Sequence, residues 1–429
     1  MTVFLLSSQK IKVFLFSLLF LLLPVQIGKH FWPSFAFVLG QRVDYLSPTL
    51  YLTDIISVLC ILTSITSFKK IHYLIIGFLS LVLSIGIYFS TNPFAGWYEL
   101  SKLLECIFLG YSFKIFFQED TYRKILLSQM LAIGVIGESL IALLQFFLQH
   151  SLGGIFYFLG ERTFSGTTPG IANASLSHQL VLRPYATFSH PNVLAAYLLL
   201  SMLLISSVFF DVSKKAKMVL GISLVLGTCG LLISLSRAAI LIWAITCLGI
   251  CIYYGLYKRK STKLLLHLIA LVLVAVSIFL YSPLAARFLQ TTFYDEAVTQ
   301  RIQLMEASIT LWQSNILFGV GFENFLTNLP RVLPSSSTIF LLQPVHNIFL
   351  LILAETGLIG LIFFFWIFIQ ALKNLFSHLK KDTATQKNNI IVLTIAFASV
   401  IILGMNDHYF LTLQQGQLLF TLVLSLSFL

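Results

Sequence analysis

Long apolar runs separated by short polar breaks set the pattern of the whole chain. About 12 runs approach the roughly 20 residues that a spanning helix needs: 12–28, 49–67, 73–91, 97–117, 125–148, 190–210, 217–234, 238–256, 264–282, 345–371, 389–405 and 410–428. They are continuous rather than alternating, which excludes lipid-facing barrel strands. The pattern predicts an all-α polytopic membrane protein of about 12 transmembrane helices. Only Asn406-Asp407-His408 separates the last two. Lys10 and Lys12 precede the first run as in a secretory leader, but Val25-Gln26-Ile27-Gly28 lacks the small-residue cleavage pattern, so the run is expected to remain as a helix.

Composition agrees with this pattern. Of 429 residues, 58% are hydrophobic and only 10% charged, with mean hydropathy +0.93. So few charges cannot cover such a core in water, and so apolar a chain cannot stay disordered. The formal charge of +11 alone would admit nucleic acid or an acidic membrane surface as a partner. Its distribution decides for the membrane and against nucleic acid. With the N-terminus placed in the cytoplasm, 18 Lys and Arg fall on inner segments and 9 on outer ones, so both termini are expected inside. The inner set is nearly all Lys. The outer set is mostly Arg (42, 162, 183, 237, 287, 301 and 331), whose planar fork suits phosphate and carboxylate oxygens. This bias points to a bound anion on the outer face.

The outer face also carries the irregular sequence. Its loops, 28–48, 149–189 and 283–344, are the longer ones, and all eleven prolines lie there or in the outer half of a span. Irregular backbone at membrane depth survives only where protein or a wet cavity satisfies it. His30, His150, His178, His190, His346 and His408 fall on that side too. Within 300–316, Ile302, Met305, Ile309, Trp312 and Ile316 form one apolar stripe, which predicts an amphipathic helix on or between the spans. Gly319-Val320-Gly321 reads as a turn with positive φ. Four polar groups stand out: Arg183-Pro184-Tyr185 through His190-Pro191-Asn192, Ser236-Arg237, Pro344-Val345-His346-Asn347, and Asn406-Asp407-His408. Arg237 reads either as a hairpin cap or as an Arg aimed into a cavity. His346 reads either as an interfacial side chain or as a general base. For the charges inside spans (Asp54, Glu99, Lys102, Glu105, Glu138 and Glu355) structural pairing is expected, with Glu99 and Lys102 as an i, i+3 pair. The five cysteines all lie in spans, so no disulfide framework is expected.

Four segments together resemble the O-antigen ligase / O-antigen polymerase superfamily: FSHPNVLAAYLLL (188–200), SLSRAAILIWAI (234–245), QRIQLMEASITLWQSNILFGVGFENF (300–325) and HNIFLLILAETGLIGLIFFF (346–365). NDHYFLTLQQGQLLF (406–420) resembles that family's last spans. The likeness covers roughly 180–420. It implies a GT-C-like architecture with a large extracytoplasmic loop between helices 9 and 10, and a division into N-terminal helices (1–180) and a ligase-like domain (181–429) that includes loop 283–344. It implies transfer of a polyprenyl-diphosphate-linked glycan to a glycan or glycolipid acceptor at the extracytoplasmic face of the inner (plasma) membrane, with no cofactor. Carried onto this chain, the catalytic residues are Arg237 and Arg301 for the diphosphate and His346 for the acceptor, with Arg183, Asn192 and Asn347 as substrate-binding groups. The first outer loop holds only Asp44, so acidic metal ligands are not expected there, and the transfer is expected to be metal-independent and inverting. The alternative is a transporter of an anion or lipid-linked sugar.

Overall fold

The computed structural model describes residues 2–120, 122–176, 179–209, 211–257, 296–334, 338–381 and 384–429. Helices stand where eleven of the apolar runs predicted them. The run 264–282 and the front of loop 283–344 lie outside the described residues, as does His178. The helices are α1 (Thr2–Leu22), α2 (Leu52–Leu62), α3 (Lys70–Tyr88), α4 (Pro93–Glu119), α5 (Tyr122–Leu148), the short α6 (Ile155–Phe158), α7 (Pro191–Val208), α8 (Lys214–Ile233), α9 (Arg237–Tyr257), α10 (Glu296–Ser314), the short α11 (Phe325–Asn328), α12 (Ile348–Lys381), α13 (Ala384–Gly404), the short α14 (Tyr409–Thr412) and α15 (Gln414–Leu426). Among the described residues, those at Tyr122–Leu148, Pro191–Val208, Lys214–Ile233 and Ile348–Lys380 are long and apolar enough to cross a membrane. The chain is a multi-pass, mostly helical membrane protein. Three two-stranded antiparallel ribbons decorate the loops. In the first, β1 (Gly28–His30) pairs with β4 (Thr49–Tyr51) and closes loop 28–48.

α7 occupies the middle of the main core. Its sequence is apolar on every side, and its side chains from Val193 to Ile205 are buried all round. α5 and α8 pack on it and on each other. A Cβ at Gly227 of α8 would come within 2.8 Å of Met202 and Val135, so the missing side chain sets the helix spacing.

Structural pairing holds for Asp54, Lys102 and Glu105, but the partner of Lys102 differs from the one expected. Lys102 turns to Asp54 (2.5 Å) and Glu105 (3.4 Å) rather than forming the Glu99 pair, and Glu99 accepts from Gln417 (2.9 Å). A Lys on α4 can bridge to α2, whereas its helical neighbour offers no tertiary link. Glu138 accepts from the backbone and hydroxyl of Thr187, and Glu355 accepts from the N–H groups of Glu323 and Phe325. These carboxylates tie loops to helices. Among the described residues, Cys60, Cys106, Cys229 and Cys247 form no disulfide.

α12 is broken at Gly357, whose φ of 63° and ψ of −162° are not helical. The break frees backbone groups that residues 316–321 then satisfy. Val320 and Gly321 donate to the carbonyls of Ala354 and Glu355, while Leu358 and Ile359 donate to those of Ile316 and Leu317. Gly319 and Gly321 take φ of 65° and 102°, as the sequence predicted. This docking anchors the chain after α10 against α12.

α10 is the helix that the spacing within 300–316 predicted, running Glu296–Ser314. The stripe Ile302, Met305, Ile309 and Ile316 is exposed, and the face packed on the protein is Leu304, Ala307, Ser308 and Leu311. Small residues at 307 and 308 allow close approach to α12, and this leaves the bulkier stripe facing outward.

Glu323, in the docked loop, provides a pH-dependent contribution. Burial, with Glu355 adding to it, holds its carboxyl well above the ordinary range. A raised acid pKa favours the fold most below the unfolded value near 4.3. That contribution is lost as pH rises through the folded value. We expect Glu323→Gln to raise the melting temperature at pH 8 and to change it little at pH 4. A thermal shift series in detergent checks this, and a uniform shift at all pH values would contradict it.

Candidate functional site

The polar groups singled out in the sequence meet at one end of the helix bundle. Segment 183–192 is held from below by two side chains of α5. The Gln145 side-chain oxygen accepts from Tyr185 N (2.9 Å) and Ala186 N (2.7 Å), and Glu138 takes Thr187. Ala186 is thereby held at φ 49°. His190 then caps α7, accepting from Asn192 N at 3.1 Å, with Pro191 in the first helical position.

Arg183 is buried and bridges two elements. Its Nε donates to Ser234 O (2.9 Å), in the turn before α9, and its guanidinium donates to Asn192 Oδ1 (2.7 Å). The same turn holds Leu235 at φ 56° and delivers Arg237 as the first residue of α9. Asn192 continues the chain of contacts, its Nδ2 donating to Asp407 Oδ2 at 2.9 Å.

Asp407, His408 and His346 form the centre. Their ligand-type atoms all lie within 4.8 Å of one another. The His346 and His408 rings meet edge-to-face at 5.3 Å, and Tyr45 packs on the other side of His408 at 5.4 Å. His346 Nδ1 is buried and has no hydrogen-bond partner among the described residues. Asn347 caps α12, its Oδ1 accepting from Phe349 N and Leu350 N, and its Nδ2 donates to Met405 O. That cap fixes His346 at the mouth of the helix.

Burial depresses the pKa of His346 below its ordinary value. Arg301 adds to this and Asp407 opposes it. Burial takes His408 down to about 4. Both are therefore neutral near pH 7. Burial works against charge on Asp407, but attraction to His408, His346 and His190 in their protonated forms and the bond from Asn192 outweigh it and hold the carboxyl below its ordinary range. Asn192 orients the carboxylate beside the two imidazoles.

These groups open on a cavity of about 490 Å³, lined among others by Trp32, Tyr45, Arg162, His190, His346, Asp407 and His408. It runs on to Glu99, Lys102 and Gln417 on α4 and α15. A smaller cavity, about 90 Å³, is lined by apolar side chains of α3 and α12, with Glu355 its one titratable group.

The predicted residues are thus distributed in two sets. His346 lines the large cavity, and Arg183, Asn192 and Asn347 lie behind it, engaged with other protein groups. Arg237 and Arg301 do not line it. Arg301 is exposed on α10 and acts on His346 and His408 through its charge. The sequence singled out Asn406-Asp407-His408 as a polar group but gave Asp407 and His408 no role. The signal available was an acid and an imidazole placed side by side where two apolar runs meet.

The model of the O-antigen ligase family (Wzy_C) matches residues 222–365. This supports the superfamily likeness read from the sequence, over a narrower stretch. The matched segment contains Arg237, Arg301, His346 and Asn347, and it ends before Asp407. No curated protein matches the chain.

Proposed function

We propose that this protein transfers a glycan from a polyprenyl diphosphate lipid to a sugar hydroxyl, as an O-antigen ligase or polymerase does, at the extracytoplasmic face of the inner (plasma) membrane with both termini in the cytoplasm. One observation carries the reading: a neutral histidine, its buried Nδ1 unpartnered among the described residues, stands beside an ionised carboxylate in a polar cavity at one end of the helix bundle.

Each group has a task in that reaction. The acceptor hydroxyl is too weak an acid to attack unaided. His346, neutral near pH 7, takes its proton as the oxygen bonds to the anomeric carbon. Asp407 stabilises the imidazolium that forms. The bond from the anomeric carbon to the diphosphate oxygen breaks, and the diphosphate leaves with its charge. Arg237 and Arg301 stabilise that charge, aided by the N-terminal ends of α7, α9 and α12, which favour anions. Attack opposite the leaving group inverts the anomeric carbon. Arg183 and Asn192 position this assembly by joining the turn before α9 to Asp407, and Asn347 positions His346. No metal is needed for any step.

Replacing the arginines tests the anion role. Arg237→Ala and Arg301→Ala should each lower the transfer rate by about 10²–10³, the usual loss of a charge-stabilising donor. Radiolabelled glycan transfer by purified protein checks this. Wild-type rates in both would reject the assignment. Transfer should also survive a chelator, and strict dependence on Mg²⁺ or Mn²⁺ would reject the metal-free step.

A further inference from the structure

His408 has no part in the proposed transfer, yet it is built into the same cluster. Thr412 Oγ1 lies 2.6 Å from His408 Nδ1 and donates its own proton to His408 O at 3.3 Å. In the tautomer with the proton on Nδ1, the hydroxyl accepts from Nδ1–H and Nε2 is left as a lone pair. That Nε2 is 3.9 Å from Asp407 Oδ1, too far for a hydrogen bond. The other carboxylate oxygen is oriented by Asn192. An ion about 2 Å from each ligand sets neighbouring ligands roughly 3.3–4 Å apart, close to this spacing. His346 adds a third ligand with a buried nitrogen that no group among the described residues satisfies.

We propose that His346, Asp407 and His408 form a binding site for a divalent transition-metal ion of the Zn²⁺ class, and that its occupancy shuts the enzyme off. Two imidazoles and one carboxylate suit Zn²⁺, Co²⁺ or Ni²⁺ rather than Mg²⁺ or Ca²⁺, which prefer oxygen ligands. Thr412 and Asn192 supply the outer bonds that orient metal ligands. Inhibition follows from imidazole chemistry. Whichever His346 nitrogen holds the ion, the other carries a proton, so no lone pair remains to accept one from an acceptor hydroxyl. The binding claim stands alone, while the inhibition rests on the proposed transfer.

The test uses full-length protein without a histidine tag, stripped with chelator and titrated with ZnCl₂ by calorimetry, with metal analysis after gel filtration. One Zn²⁺ per chain is expected, and Co²⁺ should give visible ligand-field bands. His408→Ala should weaken binding at least ~10-fold, and Thr412→Val, which leaves every ligand in place, should weaken it about 10-fold. Melting curves confirm that each variant is folded. No stoichiometric binding, or unchanged binding in His408→Ala, would overturn the site. Saturating Zn²⁺ should stop glycan transfer, and chelator should restore it. Bound Zn²⁺ with transfer unaffected would overturn the inhibition. Zinc binding with no transfer even by metal-free protein would refute the proposed function and leave the site standing.

Discussion

His346→Ala should lower the transfer rate by about 10²–10⁴, the range a positioned general base supplies. The loss should lie in the catalytic rate, with donor binding nearly unchanged, because the diphosphate is assigned to other residues. The melting temperature should stay close to wild type. Among the described residues His346 Nδ1 has no hydrogen-bond partner, and the cap of α12 belongs to Asn347. His346→Gln should be no better than Ala, since an amide cannot take the proton. A rate within a few-fold of wild type, in a folded variant, would remove His346 from the chemistry.

Gly357→Ala should have the largest effect on stability. The φ of 63° and ψ of −162° belong to a region open essentially to glycine, costing about 1–3 kcal/mol for other residues. An added Cβ would also lie 2.3 Å from Leu317 O, a backbone atom that cannot step aside. Overpacking of this kind costs about 1–3 kcal/mol more. Together these are a large part of the roughly 5–15 kcal/mol that holds a folded chain together. The break at Gly357 seats residues 316–321, so its loss should also disturb the placement of α10 and with it Arg301. We expect a sharp fall in yield and melting temperature, measured by detergent thermal shift. A melting temperature equal to wild type would show that the break is not required.

The elements legible in the sequence were those with a strong local signal. Apolar runs long enough to span marked where the described helices stand. The Gly319-Val320-Gly321 turn was readable because positive φ has a sequence signature. The stripe on α10 marked a helix, but an apolar periodicity names a face and not its partner. Ala307 and Ser308, small rather than bulky, lie on the face that meets α12. Lys102 shows the same limit: helical spacing suggested Glu99, while Asp54 lies 48 residues away and becomes its neighbour only in the fold. His346, Arg237 and Arg301 came from a family likeness. Asp407 and His408 become functional candidates only when tertiary structure sets them against His346, because a three-residue polar break looks the same as an ordinary turn.

The most direct measurement follows both products at once. Purified protein in liposomes, given a polyprenyl-diphosphate-linked glycan and a sugar acceptor, should release polyprenyl diphosphate in a 1:1 ratio with extended acceptor, both read by mass spectrometry. Movement of the lipid-linked sugar across the bilayer with no extended acceptor would contradict the account and favour a transporter.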